Sequence, residues 1–447
     1  MNDTTVLTRR IPGVPDLLNL HALQPERYPF LLESAAQGTD QGRYSILFAF
    51  PGASIAAAAG EDFFARLDDA WREQALPKSE SAQELPFTGG WFLYLAYEAA
   101  GMVEPRLRLP ADPGQPGAWA VRIPAGIVVD HVEHCTWLVS EADEPGRLDI
   151  MQEGLKQAES VPSDLPAGDL LRAPLEEEDP AQYQEAVTAA KQYIRDGDVF
   201  QANLSRAWTG ELREDLDPVG VYRRLRRSNP GPFAGLARRG NTAIISSSPE
   251  RLVARRGNRV DTRPIAGTRP RGDGEQPDEA LRRELIGHPK ERAEHIMLID
   301  LERNDLGRIC APGSVNVSEL MVLESYAHVH HIVSNVRGEL RADITPGDIL
   351  RAVFPGGTIT GCPKVRCMEI IGELEGRPRG AYTGALGYLN RDGSLDSNIL
   401  IRTMETRGQS LRLLAGAGIV ADSIPEHELD ETRAKARGMI LALQDLP

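Results

Sequence analysis

The stretch LRLLAGAGIVADSIPEHELDETRAKARGMILALQDL, residues 411–446, contains both kinds of element that the rest of the chain repeats. Its first ten residues are apolar or small and end at a turn, which indicates a strand. Residues 426–446 have helical spacing, and Ser423 with Glu426 three residues later predicts a capping box that starts this helix. The stretch therefore predicts a strand followed by a long helix.

Strands and helices alternate in the same way over most of the sequence. Short apolar runs between turn residues predict strands, among them RYSILFAF (43–50), GGWFLYLAYE (89–98), QANLSRAW (201–208), TAIISSS (242–248) and SNILIRTM (397–404). Helical spacing predicts helices that include PAQYQEAVTAAKQYIRD (180–196), much of 278–310 and KVRCMEIIGELE (364–375). We expect the α/β or α+β class, with large mixed or antiparallel sheets.

A proline-rich, acidic segment over residues 159–183 divides the chain. It lacks sustained periodicity and is predicted to be an exposed connector. We therefore expect an N-terminal subdomain over 1–160 and a second, larger part over 180–447.

Bulk composition excludes several classes of protein. The 447 residues are 41% hydrophobic and 26% charged, which is typical of a globular chain with a large core. A net charge of −15 argues against a nucleic-acid partner. The first twenty residues lack the apolar core of a signal peptide, and no apolar run is long enough to cross a membrane. The 4 cysteines are too few and too scattered for a disulfide framework, so we expect a cytoplasmic protein.

Acidic residues recur on one face of two predicted helices. Glu291 and Glu294 are spaced i, i+3, and the closing helix carries Glu428, Glu431 and Lys435 at i, i+3 and i+7. Two such faces could meet around Mg²⁺, which typically takes one or two protein carboxylates, waters and an anionic group of the substrate. The alternative is that these acids form solvated helix faces.

Other segments have the composition of an anion site. Gly416, Ala417 and Gly418 leave their backbone amides accessible, and Arg402 ends an apolar run. PIAGTRPRG (264–272) combines glycine, threonine and arginine, and it is predicted to be a loop that approaches an anion closely. Ala266 lies in its middle, where a reactive side chain might be expected.

Seven ordered segments together resemble the chorismate-utilising enzymes. These segments are SPERL (248–252), PIAGTRPRG, ERAEHIMLIDLERNDLGR (291–308), VHHIVS (329–334), FPGGTITGCPKVRCMEII (354–371), GAYTGALGYL (380–389) and GAGIVADSIPEHELDET (416–432). The resemblance implies two large antiparallel sheets packed on one another, with helices outside and the active site in a cleft. It also implies that the N-terminal part and the catalytic part form one intertwined body.

The resemblance also implies how chorismate, a dianion, is bound. Glu294 and Glu431 are the implied Mg²⁺ ligands, and Glu291 and Glu428 the implied holders of metal-bound water. The residues implied to bind the enolpyruvyl carboxylate are Tyr382, Arg402, Gly416, Ala417, Gly418 and Lys435. A metal cation, arginine and lysine are suited to binding the two carboxylates of chorismate.

The implied catalytic residues surround the same cleft. Thr268 and Thr358 are expected to line it, and His331 matches the active-site histidine of the family. Glu250 matches the general acid that protonates the departing C4 hydroxyl, a poor leaving group unless assisted.

Gln201 and Ala266 bear on which reaction is expected. Family members that add water are expected to carry a lysine base at position 201, and a glutamine amide cannot act as a base. Ammonia is therefore favoured as nucleophile, and the motifs favour C4 amination, as in aminodeoxychorismate synthases, over anthranilate formation. Many C4-aminating members have a nucleophilic lysine where this chain has Ala266, and alanine cannot replace it.

Partners and regulation follow from the same resemblance. None of the cysteines lies in a Gly-x-Cys-x-Gly turn, so ammonia is expected from a separate glutamine amidotransferase subunit. LLES (31–34) resembles a tryptophan-binding segment through Leu32, Glu33 and Ser34, although a buried strand is the alternative. A chorismate-binding regulatory homologue is the non-enzyme alternative, and the intact acid set argues against it.

Overall fold

The computed structural model describes residues 6–35, 42–57, 61–76, 85–144, 146–270, 278–325 and 329–445, without the side chains of 268–270, 289, 290 and 329. Within these ranges no helix is long and apolar enough to cross a membrane. All 4 cysteines are free thiols.

The strands of the described residues are, in chain order, β1 (Val6–Pro12), β2 (Phe30–Glu33), β3 (Tyr44–Ala49), β4 (Ser54–Ala57), β5 (Gly90–Leu95), β6 (Ala118–Ile123), β7 (Ala125–Asp130), β8 (Cys135–Glu141), β9 (Glu176–Glu177), β10 (Gln201–Glu211), β11 (Phe233–Arg239), β12 (Thr242–Ser248), β13 (Arg251–Arg256), β14 (Arg259–Arg263), β15 (Ile265–Pro270), β16 (Asn316–Ser325), β17 (Val329–Glu339), β18 (Gly361–Cys362), β19 (Ala385–Asn390), β20 (Leu395–Asn398), β21 (Thr403–Arg407) and β22 (Ser410–Ile419).

The α-helices are α1 (Leu17–Leu23), α2 (Phe63–Gln74), α3 (Ala100–Val103), α4 (Gly146–Ala158), α5 (Pro180–Arg195), α6 (Pro218–Ser228), α7 (Asp278–Gly287), α8 (Pro289–Gly307), α9 (Pro346–Val353), α10 (Lys364–Glu375) and α11 (Pro425–Leu443). Short 3₁₀ turns occur at Tyr97–Ala99 and Gly357–Ile359.

Two antiparallel sheets organise the fold, and each draws strands from both ends of the chain. In the described residues the first sheet has 12 strands in the order β1-β8-β7-β3-β2-β11-β12-β21-β22-β10-β18, with β9 paired to β10. The second has 10 strands in the order β15-β17-β14-β13-β20-β19-β5-β6-β4, with β16 paired to β17. The predicted class, with two large antiparallel sheets and outer helices, is confirmed.

Aromatic side chains fill the space between the two sheets. Phe30 of the first sheet stacks on Phe92 of the second with ring centroids 4.2 Å apart, and Trp119 packs beside both rings. Because strand side chains alternate, Trp91 and Leu93 point to the opposite face, into a core shared with the helices. Each sheet is therefore covered on one face by the other sheet and on the other face by helices.

The segment after α4 is tied to the rest of the molecule. Leu170 is fully buried, and its amide donates to the carbonyl of Leu443 at 2.8 Å. Arg224 of α6 donates to the Gly168 carbonyl at 2.5 Å and also contacts Pro166. Residues 159–179 are thus mostly exposed but held at several points by contacts with residues of the 180–447 part.

Three local predictions differ from the structure. The segment PIAGTRPRG was predicted to be a loop, but its residues 265–270 form strand β15. The pairing of β15 with β17 shifts register at Gly267, which has φ +71°. Ser423 does not cap α11, because its hydroxyl accepts from the Val420 amide at 3.0 Å and Pro425 begins the helix. The run 397–404 is not one strand, since β20 ends at Asn398 and β21 begins at Thr403.

Candidate active site

The floor of the candidate site is the pair β10 and β22. Ser205 lies opposite Gly416, and Asn203 opposite Gly418, in the antiparallel register. A Cβ atom at Gly416 would lie 2.7 Å from the Tyr382 hydroxyl and 2.9 Å from Asn203 Oδ1. Position 416 requires glycine because the polar side chains of Tyr382 and Asn203 occupy the space that a Cβ atom would need.

Glu294 of α8 reaches this floor from one side. Its Oε1 accepts a hydrogen bond of 2.7 Å from the Gln201 Nε2, at the start of β10. A Cβ atom at Gly418 would lie 3.4 Å from the same carboxylate oxygen and in close contact with the Gln201 amide. Glu294, Gln201 and Gly418 therefore lie together, as the resemblance implies.

The polar face of α11 reaches the same strand at Gly416. Lys435 Nζ donates to the Gly416 carbonyl at 3.0 Å and pairs with Glu431 Oε1 at 2.6 Å, one helical turn away. Arg402 donates to the Lys435 carbonyl at 2.6 Å. These contacts bring Lys435, Arg402 and half-exposed Glu431 together at Gly416 of β22. Glu294 lies near Gly418, two residues further along the same strand.

The acids predicted to hold Mg²⁺ do not form a complete donor cage. Within the described residues, no three histidine, cysteine, aspartate or glutamate side chains are grouped as a metal centre. Glu291 lies at β15, where its Oε2 would be 2.9 Å from a Cβ atom at Gly267, and Glu428 is buried on α11. Glu294 and Glu431 nevertheless flank one short stretch of β22, and Mg²⁺ commonly takes only one or two protein carboxylates.

Glu250 is buried at the end of β12. Its amide donates to the Ser248 hydroxyl at 3.2 Å, and its Oε1 accepts from the Ile265 amide at 3.3 Å. The pKa of this carboxyl is raised to about 8, mainly by burial and in smaller part by the charge of Glu302, while the Thr358 hydroxyl and the Ile265 amide oppose the rise. Glu250 is therefore protonated at neutral pH and able to donate a proton.

His331 lies on β17, in register with Thr268 on β15. Burial lowers the pKa of this imidazole to about 4, and the nearby Arg402 charge lowers it too, so the ring is neutral at physiological pH. The Thr268 side chain lies outside the described residues. Ala266 on the same strand is buried beside Ile332.

Tyr382 and Arg402 are held in uncommon positions. Tyr382 is buried and Arg402 is partly buried, which raises the pKa of Tyr382 to about 12 and lowers that of Arg402. Arg402 has φ +53° and Thr383, next to Tyr382, has φ +63°, a region that residues other than glycine rarely adopt. Such backbone strain is typical of ligand-binding positions.

A buried charged cluster lies behind the Gly357–Ile359 turn, and sequence reasoning missed it. The Gly357 amide donates to Glu302 Oε1 at 3.3 Å, and Lys364 donates to Asp305 and to the Val353 carbonyl. Burial raises the pKa of Glu302, and the neighbouring Asp305 charge adds to the rise. A signal was present: on α8, Glu302 and Asp305 continue the face of Glu291 and Glu294 at i+11 and i+14.

A second missed group is the buried ion pair of Arg379 and Glu375. The guanidinium donates to Glu375 Oε1 at 2.7 Å, to the Asn203 carbonyl at 2.6 Å and to the Ile359 carbonyl at 3.2 Å. It also lies 5.6 Å from the ring centroid of Tyr382. Arg379 therefore braces β10, the 357–359 turn and Tyr382 against one another.

The segment proposed from sequence to bind tryptophan is occupied by internal contacts. Glu33 accepts hydrogen bonds from the Tyr222 hydroxyl at 2.9 Å and from Arg226 at 3.2 Å. The Ser34 hydroxyl donates to the Pro232 carbonyl at 3.1 Å, on the alternate face of β2. Glu33 and Ser34 therefore both have hydrogen-bond partners within the chain.

Known proteins resemble this chain over most of its length. The sequence pattern of chorismate binding enzymes matches residues 28–441. Aminodeoxychorismate synthase component 1 of Bacillus subtilis (strain 168) is 40% identical over 446 residues, covering 94% of this chain and 93% of that protein. Anthranilate synthase component 1 of Synechocystis sp. (strain ATCC 27184 / PCC 6803 / Kazusa) is 39% identical over 473 residues, covering 94% and 91%.

A solved structure agrees with these matches. The crystal structure of anthranilate synthase component I from Streptococcus pneumoniae TIGR4 has a TM-score of 0.78 and 34% identity, over 90% of this chain and 93% of that one. The chain thus belongs to the family of chorismate binding enzymes.

Proposed function

We propose that this protein is component I of an aminodeoxychorismate synthase, which aminates chorismate at C4 with ammonia. The observation that carries the proposal is Glu250: a buried carboxyl whose pKa is raised to about 8, beside Thr358 and within the influence of the Lys435 charge. Amination requires an acid that is protonated at neutral pH, because the C4 hydroxyl leaves as water only after it receives a proton.

The cleft has the groups to hold a dicarboxylate. Lys435 and partly buried Arg402 supply positive charge at β22, and Tyr382 supplies a hydroxyl above Gly416. The amides of residues 416–418 can add hydrogen bonds to a carboxylate. These groups would take the enolpyruvyl carboxylate, and Thr358 and Thr268 would line the cleft around the ring.

Mg²⁺ is the proposed cofactor. Glu294 and Glu431 would be its ligands, with Glu291 and Glu428 holding metal-bound water. When bound, the ion would neutralise the ring carboxylate of chorismate and charge that develops as the hydroxyl leaves. Hard carboxylate oxygens are the donors that this ion prefers.

Ammonia is the proposed nucleophile because position 201 carries a glutamine and not a base that could activate water. Gln201 contacts Glu294 through its amide, and a glutamine side chain cannot accept a proton from water at neutral pH. Neutral His331 can orient groups in the cleft by hydrogen bonding. Ammonia itself needs no deprotonation before it attacks.

Without a lysine at position 266, ammonia must perform both displacements. One ammonia adds at C2 as the ring double bonds shift and the C4 hydroxyl leaves as water with the proton of Glu250. A second then adds at C4 and expels the C2 amine. The net reaction converts chorismate and ammonia to 4-amino-4-deoxychorismate and water.

Anthranilate synthase is the second candidate, and Ala266 is the observation that favours it. If the C2 amine formed in the first displacement is retained, loss of pyruvate gives the ortho aminobenzoate. The relatives described above carry both names, so identity does not separate the two reactions.

A separate glutaminase is the proposed ammonia source. The names of the relatives designate a first component, which implies a second one. Free ammonium should replace this partner in vitro.

Product identification tests the proposal. The purified chain is incubated with chorismate, Mg²⁺ and ammonium chloride, a lyase that converts aminodeoxychorismate to para-aminobenzoate is added, and the products are separated by chromatography. Accumulation of the para isomer, dependent on the lyase, is the expected result. Accumulation of the ortho isomer without the lyase would assign the protein to anthranilate synthesis.

A further inference from the structure

Two buried amide oxygens at the start of β10 have no hydrogen-bond partner among the described residues. They are Gln201 Oε1 and Asn203 Oδ1, on side chains that are 3% and 8% exposed. A buried acceptor left unpaired is unfavourable, so such an atom calls for a donor that the chain does not supply, such as a water molecule or a ligand.

Both atoms belong to the floor of the candidate site. Gln201 and Asn203 are two residues apart on one strand, so their side chains lie on the same face. The Gln201 Nε2 is fixed to Glu294 at 2.7 Å, which determines where its Oε1 lies. Asn203 Oδ1 and the Tyr382 hydroxyl both approach the Cα of Gly416 from that face.

The hydrogen-bond donors of the two reactants indicate which of them could bind these amide oxygens. A chorismate dianion has one hydrogen-bond donor, its C4 hydroxyl, and its remaining oxygens only accept. Ammonia has three N–H donors, and two acceptors can bind it while leaving its lone pair free. Amide oxygens are acceptors only, so they can bind the N–H groups of ammonia without taking up its lone pair, which is needed for attack.

We infer that Gln201 and Asn203 form a binding subsite for ammonia within the active site. The inference rests on the proposed amination and adds the residues that hold the nucleophile. Gln201 then has two tasks: its N–H positions Glu294, and its carbonyl oxygen binds ammonia. Asn203 supplies the second acceptor, since its Oδ1 has no hydrogen-bond partner among the described residues.

Asn203→Leu tests the subsite, because leucine has nearly the same shape and no acceptor. Initial rates of chorismate consumption are measured with Mg²⁺, saturating chorismate and increasing ammonium chloride at fixed pH. We expect the KM for ammonium to rise about tenfold, the effect of one lost hydrogen bond, and the KM for chorismate to change less than about twofold. An unchanged KM for ammonium overturns the inference. A rise in the chorismate KM alone also overturns it, since Asn203 would then bind the C4 hydroxyl.

Further variants separate binding from folding. Asn203→Ala removes the acceptor without adding apolar bulk, and should raise the KM for ammonium as leucine does. Asn203→Asp keeps an acceptor oxygen and should retain the wild-type KM for ammonium to within about threefold; loss equal to that of Asn203→Leu contradicts the subsite. Thr209→Val, at an exposed position of the same strand, is the matched control and should leave both constants unchanged.

The outcome for the wild-type chain distinguishes this inference from the proposed function. If wild type and Asn203→Leu both turn over chorismate with the same KM for ammonium, the subsite is overturned and the proposed function is not. Formation of the ortho product overturns C4 amination and leaves the subsite standing. A wild-type chain that does not consume chorismate with ammonium contradicts both.

Discussion

Ala266 occupies a buried position of β15 whose cross-strand neighbour is Ile332. Its methyl group can neither attack the substrate nor transfer a proton. The sequence predicted a loop at this residue, whereas it lies on a strand. A strand position is more restrictive than a loop position, because the direction of the side chain is set by the sheet.

Ala266→Lys is expected to fold and to raise the rate of C4 amination. Burial lowers the pKa of a lysine, so the amine would be largely neutral and nucleophilic. The rate of para-aminobenzoate formation in the lyase-coupled assay measures the effect. A shift of the product toward the ortho isomer would contradict the proposed reaction.

Glu250 gives the reaction a predictable pH dependence. The active form is the protonated one, so kcat/KM should fall as the pH rises through about 8, the pKa of Glu250. The negative charge of Glu302 contributes to that pKa, and Glu302→Gln removes the charge while keeping an acceptor for the Gly357 amide. The falling limb should therefore move to lower pH, by on the order of one unit.

Profiles of kcat/KM across the neutral and alkaline range measure this shift. Asp300→Asn is the matched control, because Asp300 is an exposed acid of the same helix, paired with Arg303 at 2.9 Å. If the falling limb of the Glu302→Gln profile lies at the same pH as in the wild type, the charge of Glu302 does not raise the pKa of Glu250.

At the scale of elements, some helix bounds were predicted and others were not. Residues 364–375 form α10 as predicted. Glu294 of α8 and Lys435 of α11 both reach β22, whereas Glu291 lies at β15. The capping box failed because Ser423 is used by the preceding turn and Pro425 starts the helix. The broken strand at 399–402 depends on Arg402 at φ +53°, which local propensity does not favour.

Glu431→Gln tests the role of α11 at this scale. The change removes a hard, charged oxygen donor next to Lys435, and Mg²⁺-dependent chorismate consumption should fall by at least about a hundredfold. Initial rates over a range of MgCl₂ concentrations measure it. Glu426→Gln, an exposed acid in the first turn of the same helix, should behave as wild type. Unchanged magnesium dependence in Glu431→Gln would exclude α11 from the metal site.

At the scale of the whole molecule, the sequence predicted the family and the two-sheet class but not the pairing of distant strands. The family resemblance is confirmed by the match over residues 28–441. Nothing in the local pattern of β2 indicates that it pairs with β3 on one side and with β11, some two hundred residues later, on the other. Such contacts depend on long-range packing of faces that look alike in sequence.

The mixed origin of both sheets predicts that residues 180–447 do not fold alone. Removing 1–160 would leave β11 and β19 without their partners β2 and β5. It would also remove the aromatic layer and expose the apolar side chains that pack against it, among them Ile244, Leu386 and Tyr388. We expect the fragment to show no cooperative thermal transition by calorimetry, in contrast to the full chain. A sharp transition in the fragment would indicate two independent domains.

The central claim is that a protonated, buried glutamate expels the C4 hydroxyl of chorismate, and Glu250→Gln tests it most directly. Chorismate consumption with Mg²⁺ and ammonium is measured beside the binding of chorismate by calorimetric titration. The account predicts that turnover falls by about 10²–10⁴-fold while chorismate still binds. Turnover close to that of the wild type in Glu250→Gln would contradict it.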